Sequence, residues 1–514
     1  MSHAARWLFA ATLLASISVL PAHGYDHIVV VIEENHSLSQ VLGSGFAPYM
    51  DSLAAGGVQF SNFFSITHPS QPNYIQFYSG ADQGIKNDNL PASLFTTPNL
   101  GASLISGGKT FITYSESLPS IGFTGETFTT VSGQNQYVRK HNPAANWQGA
   151  AANPIPSSSN APFTSFPTNP AGFANLPSVS FVVPNEQNDM HDGSIAQGDT
   201  WLNTNLSAYA NWAKTNNSLL IVTFDEDNSS TTNANKIPTI FYGAGLRNGT
   251  TVATTYTLHN LQQTLASQFN VSGAGMAANT KPIYGAFAGE TNGISRTFKQ
   301  NLNGYTSTLS NNIFNATPNT AGPGIAVLQP DGDTDSATSG NQPSQVLLKF
   351  SNIIGPGASQ VPAGATILSA KLILTGDTAN SSTVSTDTFR LHRMLATWDG
   401  TSTWNSLSGG VTPNGIEAAS NADFEILPYA TAAPHGIFDV TDTLQLWANG
   451  TLPNNGWLLQ DATGTDGWRI FGETGTTPPS LEITYLNPAA VPEPASLSLL
   501  AGGALVLLAR RRRN

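Results

Sequence analysis

Five short apolar runs in the first half of the chain do most to constrain its fold. They read H-I-V-V-V-I (His27–Ile32), T-F-I-T-Y (Thr110–Tyr114), S-V-S-F-V-V (Ser178–Val183), L-L-I-V-T-F (Leu219–Phe224) and I-P-T-I-F-Y (Ile237–Tyr242). Each is continuous rather than alternating, the pattern of a strand buried on both faces in a parallel sheet covered by helices. Between the third and fourth runs, Trp201, Leu202, Leu206, Tyr209 and Trp212 recur at helical spacing. Strands alternating with helices predict an α/β fold with helices on both faces of the sheet. Three of the runs lead directly into polar clusters: E-E-N-H-S (Glu33–Ser37), P-N-E-Q-N-D-M-H-D-G (Pro184–Gly193) and D-E-D-N (Asp225–Asn228). Ligands of open α/β sheets gather beyond the carboxyl ends of the strands, so these clusters are expected to meet at one edge. Carboxylates brought together repel unless a cation sits among them. One or more divalent metal ions are therefore the economical inference. The chain has no cysteine, which leaves oxygen and nitrogen ligands and keeps Mg, Ca, Mn and Zn all open.

The ends of the chain carry different signals. Met1–Gly24 has an early Arg6, an apolar run from Trp7 to Leu20 and a small-residue A-H-G, which predicts a signal peptide. At the other end stand V-P-E-P-A-S (Val491–Ser496), an apolar segment over 497–509 and Arg510–Arg513. This order resembles the PEP-CTERM sorting signal, here 487–514. The resemblance implies transit through the inner membrane of a Gram-negative bacterium, processing by an exosortase-type enzyme, and release to the cell surface or extracellular matrix. Charged residues are only 10% of the chain, the formal net charge is −12, and no basic run lies outside the tail. That composition argues against nucleic acid as a partner.

The stretch T-H-P-S-Q-P-N-Y (Thr67–Tyr74) sets Ser70 between two prolines, which disfavour regular structure at that point and fit a turn. Taken with E-E-N-H-S, P-N-E-Q-N-D-M-H-D and T-F-D-E-D-N, in that order, it resembles the phosphoesterase family of acid phosphatases and phosphocholine-type phospholipases C, within the alkaline phosphatase-like superfamily. The resemblance spans about residues 26–270 of a domain placed at 25–288. It implies a metal-assisted phosphoserine mechanism with Ser70 as nucleophile. It further implies metal ligation by Glu34, Asn35, Ser70, Asp225 and Glu226, with Asn35 also contacting the transferred phosphoryl group. His191 is the candidate to protonate the leaving alkoxide or activate the second-step water, because imidazole titrates near neutral pH. His68, Asn73, Lys140 and His141 are candidates for holding the substrate. Asp189 and Asp192 read equally as supporting partners or as helix caps.

One stretch departs from the family pattern. Relatives have H-Y-N before a hydrophobic helix, whereas this chain has T-L-H-N-L-Q-Q-T-L-A-S, placing His259 one residue late. A shift of one residue at a helix start turns a side chain by about 100°. Either the entry loop compensates and His259 is catalytic, or that helper is missing. E-N-H-S-L-S-Q-V-L-G in place of the phospholipase pattern favours a phosphate monoester substrate over a diester. Residues 289–324 read as an irregular linker, and 325–486 as an all-β sandwich resembling the DNRLRE type. That resemblance implies attachment to extracellular polysaccharide, with Trp398, Trp404, Trp447, Trp457 and Trp468 available for sugar stacking or for the core. Asp331–Asp335 reads as a calcium loop or an acidic turn. The rival function is a matrix-binding protein with a degenerate phosphoesterase domain.

Overall fold

The computed structural model describes residues 24–129, 136–228, 235–290, 293–332, 343–377, 387–426, 435–462 and 467–488. The expected signal peptide, the PEP-CTERM segment and Asp333–Asp335 lie outside the described residues.

The N-terminal half is built on an eight-stranded sheet. Its strands are β1 (His27–Glu33), β2 (Val58–Phe60), β3 (Phe111–Ser115), β4 (Asn160–Pro162), β5 (Val179–Val183), β6 (Ser218–Phe224), β7 (Thr239–Gly243) and β8 (Thr250–Val252). Their order is β8-β2-β7-β6-β1-β5-β3-β4. All five apolar runs are strands, and β1, β5 and β6 are buried almost without interruption. The sheet is not wholly parallel: β7 runs antiparallel to β6 and to β2. Among the described residues between Phe224 and Thr239 no helix is assigned, and parallel neighbours are usually joined through one.

Helices α1 (Pro48–Gly56), α2 (Ser70–Ser79), α3 (Ile195–Ala213) and α4 (Leu258–Gln268) pack against this sheet and one another. The predicted helix around Trp201–Trp212 is α3, with Ser194 capping it by accepting from the Gln197 N–H. Helix α2 ends at Gly80, in the left-handed region at φ 69°, where an added Cβ would lie 1.9 Å from the Ala274 carbonyl oxygen. Only glycine fits both demands.

The C-terminal half is two facing antiparallel sheets. One holds β9 (Ile294–Lys299), β12 (Thr366–Thr375), β15 (His435–Asp439) and β17 (Ser480–Leu486). The other holds β10 (Thr308–Phe314), β11 (Ser344–Phe350), β13 (Phe389–Arg393), β14 (Phe424–Ile426) and β16 (Trp457–Asp461). They share one core, with Leu372 and Ile483 from the first sheet meeting Val346, Leu391 and Leu459 from the second. The expectation of a linker over 289–324 is corrected here, because β9 and β10 both fall in it. β9 pairs with β17 and β10 with β11, each at a sheet edge. Edge strands need little apolar sequence, so I-S-R-T-F-K and T-L-S-N-N-I-F carry no strong strand signal. Trp398, Trp447, Trp457 and Trp468 are buried, which removes them as a sugar-stacking platform; only Trp404 is partly exposed.

The two halves meet through polar groups that are themselves buried. Lys371 Nζ on β12 donates to Asp439 Oδ2 on β15 at 2.7 Å and to Asn260 Oδ1 on α4 at 2.8 Å. Asn260 Nδ2 donates back to Asp439 Oδ2 at 3.2 Å. Helix α4 in turn supports α2, since Gln262 Nε2 donates to the Phe77 carbonyl at 2.8 Å.

Candidate active site

Strand register delivers the first two acidic residues side by side. Glu33 on β1 is paired with Phe224 on β6, so Glu34 and Asp225 emerge together from the same edge. Asn35 then turns through φ 50°, a left-handed conformation that asparagine tolerates, and its N–H donates to Asp225 Oδ1 at 3.3 Å. The loop after β5 joins them through the Glu34 N–H, which donates to the Asp189 carbonyl at 2.8 Å.

Ser70 opens helix α2 and is 2% exposed. Its Oγ lies 3.1 Å from Glu34 Oε2 and 3.2 Å from Glu226 Oε1, so one hydroxyl proton faces two carboxylates. Asn73 locks the turn before it: Oδ1 accepts from the Thr67 N–H at 2.9 Å, and Nδ2 donates to the Thr67 carbonyl at 2.7 Å and to Glu226 Oε2 at 3.3 Å. Asn73 is thus at the site, but its amide is occupied in holding the Thr67 turn and Glu226 rather than turned toward a substrate. His68 sits between Glu226 Oε2 at 2.6 Å and Asp227 Oδ1 at 3.3 Å. Burial works against its imidazolium, yet the hydrogen bonds and charges of Asp227 and Glu226 prevail and raise its pKa to about 9.

On the other side of Glu34, His141 Nε2 lies 3.1 Å from Glu34 Oε1 and its Nδ1 lies 3.3 Å from Asp189 Oδ2. Tyr74 stacks on the His141 ring at 5.2 Å between centroids. Burial, then the nearby Lys140 and His191, push the His141 pKa well below the ordinary value, so it is neutral. His191 is partly exposed; its Nδ1 is 2.8 Å from Asp192 Oδ1 and its Nε2 is 3.4 Å from Lys140 Nζ. The structure therefore brings together Glu34, Asn35, His68, Ser70, Asn73, Lys140, His141, His191, Asp225 and Glu226. Asp189, left undecided between two roles, walls the site; its backbone-facing oxygen accepts from the His191 N–H at 2.8 Å.

His259 is not part of this assembly. It is fully buried at the junction of the two halves, its ring 5.6 Å from that of Phe424 on β14. Among the described residues neither ring nitrogen has a hydrogen-bond partner, and burial, with Lys371 adding to it, pulls the pKa down to about 3. The one-residue shift has turned this histidine toward the sandwich. His259→Leu is accordingly expected to leave kcat within about twofold of wild type. Removing an unpaired buried imidazole should also keep stability level or raise it by up to about 1 kcal/mol, read as a thermal midpoint. A tenfold fall in kcat would return His259 to the chemistry.

The carboxylate cluster fits a cation. Burial raises the pKa of Glu34, Asp189, Asp225 and Glu226 above the usual carboxylate range, and for Glu34 and Asp225 neighbouring carboxylates add to the rise. Among the described residues Glu34 Oε1, Asp225 Oδ2, Asp189 Oδ2, Asn35 Oδ1 and His141 Nε2 are buried without a well-aligned hydrogen bond, the close approaches of His141 to Glu34 and Asp189 included. Buried acceptors are ordinarily satisfied, and a hard cation takes such oxygens together with neutral imidazole. Glu34, His141 and Asp189 also each offer a ligand atom within 4.8 Å of the others.

Comparison with known proteins matches these features to a family. The phosphoesterase family profile covers residues 44–272, and a phosphatidylinositol-3-phosphatase of Mycobacterium tuberculosis is 44% identical over 285 residues, spanning 54% of this chain and 90% of that protein. The chain belongs to the phosphoesterase family. As a phosphoesterase it is a hydrolase acting on phosphate esters. An acid phosphatase of Aspergillus fumigatus is 32% identical over 235 residues, covering 44% of this chain and 51% of its own length. The phosphoesterase thus spans about half the length of that fungal relative. A structure of a protein in the alkaline phosphatase superfamily from Vibrio parahaemolyticus aligns at 13% identity with a TM-score of 0.35, over 52% of this chain and 73% of that one. The PEP-CTERM protein-sorting motif matches residues 490–513, which implies export and exosortase processing. Among the described residues no helix is long and apolar enough to cross a membrane.

Proposed function

We propose that the chain is an exported, metal-dependent phosphomonoesterase that works through a phosphoserine at Ser70. The observation that carries this reading is the Ser70 hydroxyl, set 3.1 and 3.2 Å from two buried carboxylates, one of which, Glu34, keeps an oxygen with no well-aligned hydrogen-bond donor. Glu34, Asn35, Ser70, Asp225 and Glu226 would hold a divalent cation, with the His141–Asp189 side open to a second. Such a cation lowers the pKa of a serine hydroxyl and offsets charge on phosphoryl oxygens. The chain's own groups account for the rest. Glu34 and Glu226 orient the hydroxyl, and one of the two carboxylates takes its proton as Oγ attacks phosphorus. The Oγ–P bond forms as the ester P–O bond breaks, and the departing alkoxide takes a proton from His191, the partly exposed imidazole of the site. Water then attacks the phosphoserine and gives a proton to His191, the Oγ–P bond breaks, Ser70 Oγ takes its proton back from the carboxylate that held it, and inorganic phosphate leaves. Lys140 and the neutral His141 face the phosphoryl oxygens.

The 44% identical relative is a phosphatase of a phosphorylated inositol lipid. This favours a monoester on a polyol-type alcohol over a phosphocholine diester. Treating the full-length protein with a chelator is expected to abolish release of inorganic phosphate from an aryl phosphate, and adding back a divalent cation to restore it. Undiminished turnover after exhaustive chelation would remove the metal from the mechanism.

A further inference from the structure

The loop Asn87–Asn89 lies against the first turn of α2 and has no part in the steps above. Gln71, which follows Ser70, clasps it: Nε2 donates to the Asn87 carbonyl at 2.8 Å and to the Asn89 carbonyl at 2.7 Å. The Gln71 N–H donates to Asp88 Oδ1 at 3.0 Å. The second Asp88 oxygen, Oδ2, faces Lys140 Nζ at 3.6 Å. The Gln71 side chain is buried, whereas the Asp88 side chain is 36% exposed, so a fixed clasp holds a carboxylate that solvent can reach. Asp88 therefore occupies a main-chain N–H at a helix start and a lysine ammonium, two groups that attract a phosphate dianion.

We propose that Asp88 is a positioning residue that limits the site's affinity for inorganic phosphate by holding Lys140 beside its own carboxylate, so that product is released. The proposal rests on the phosphoesterase reading of the Ser70 site. A lysine facing phosphate with no counter-charge would bind the product dianion as readily as the substrate, and turnover would wait on its release. Glu186 Oε1, at 3.8 Å from Lys140 Nζ, supplies a second and more distant carboxylate. Asp88 differs from it in also touching the residue next to the nucleophile. A role confined to capping α2 predicts unchanged phosphate binding, because asparagine also accepts from the Gln71 N–H.

The test is calorimetric titration of inorganic phosphate into the full-length, metal-loaded protein, with its inhibition constant measured during aryl phosphate turnover. Asp88→Asn is expected to tighten phosphate binding by about two- to tenfold, the range for one partly exposed charge pair. In a Lys140→Met background the same change should shift binding by less than about twofold. Asp88→Ser, which also keeps an acceptor, gives the same readout if the asparagine variant does not fold. Unchanged or weaker phosphate binding in Asp88→Asn, beside a wild type that binds phosphate, overturns the role of Asp88 and leaves the enzyme reading intact. A gain that persists undiminished without Lys140 overturns the assignment to that lysine. A metal-loaded wild type that binds no phosphate overturns both readings.

Discussion

Ser70→Ala is expected to lower kcat by about a thousandfold or more, the scale on which removal of a nucleophile acts. The effect should fall on chemistry and not on folding. Alanine is at home in the first turn of a helix, and the turn before α2 is held by Asn73 and its bonds to Thr67, which the substitution leaves in place. The lost hydroxyl takes a hydrogen bond from Glu34 or Glu226, whose other contacts persist. A rapid-quench experiment separates the possibilities. Wild type should release its alcohol in a burst ahead of phosphate, if the phosphoserine forms faster than it hydrolyses, and the variant should show no burst. Turnover within tenfold of wild type would mean that water attacks phosphorus directly, and that Ser70 only fills space between the carboxylates.

The second large effect is on stability. Lys371→Met should destabilise the protein by about 3–5 kcal/mol, because it leaves the Asp439 carboxylate buried without its counter-charge. Asp439 retains the Thr441 N–H at 3.0 Å and Asn260 Nδ2 at 3.2 Å, which places the loss toward the lower part of that range. Adding Asp439→Asn to Lys371→Met should recover much of it, since a charge is no longer stranded. The pH dependence has a definite sign. Burial pushes the Asp439 carboxyl upward, but the charge and hydrogen bond of Lys371, with help from Thr441, hold it below 3.8. A carboxyl held below its unfolded value contributes stability above that value and loses it as pH falls through the folded one. Wild type should therefore lose this contribution below about pH 4, and Lys371→Met should not. Denaturant titrations at pH 7 and in acid check both points; equal midpoints for wild type and Lys371→Met at pH 7 would show that the pair adds nothing.

Much of this was legible in the chain because of how buried strands are written. Strands covered on both faces need apolar side chains at nearly every position, so β1, β5 and β6 stood out as unbroken runs. The polar residues just beyond them had to share an edge. Ser70 was legible through its two prolines and the amide of Asn73. Three other features carried no local mark. β9 and β10 lie at sheet edges, where polar residues are tolerated, and so passed for a linker. The orientation of His259 depends on Phe424 and Lys371, partners that no window around the helix contains. Asp88 reaches the site through a loop, with no periodicity to announce it; the signal that was available is Gln71, a long amide fixed next to Ser70. Asn73, expected to hold substrate, lies beside Ser70, where its amide bonds the Thr67 backbone and Glu226.

The buried bridge between Asn260, Lys371 and Asp439 also bears on the order in which the chain is made. Lys371 lies 111 residues beyond Asn260, and Asp439 lies 179 residues beyond it. When α4 leaves the ribosome, the face that carries His259 and Asn260 has nothing to cover it. The helix that braces α2 is completed only by strands synthesised long afterwards. The seam beside α4 is thus closed only by the sandwich, and a chain cut short inside it would leave His259 and Asn260 uncovered on the helix that braces α2.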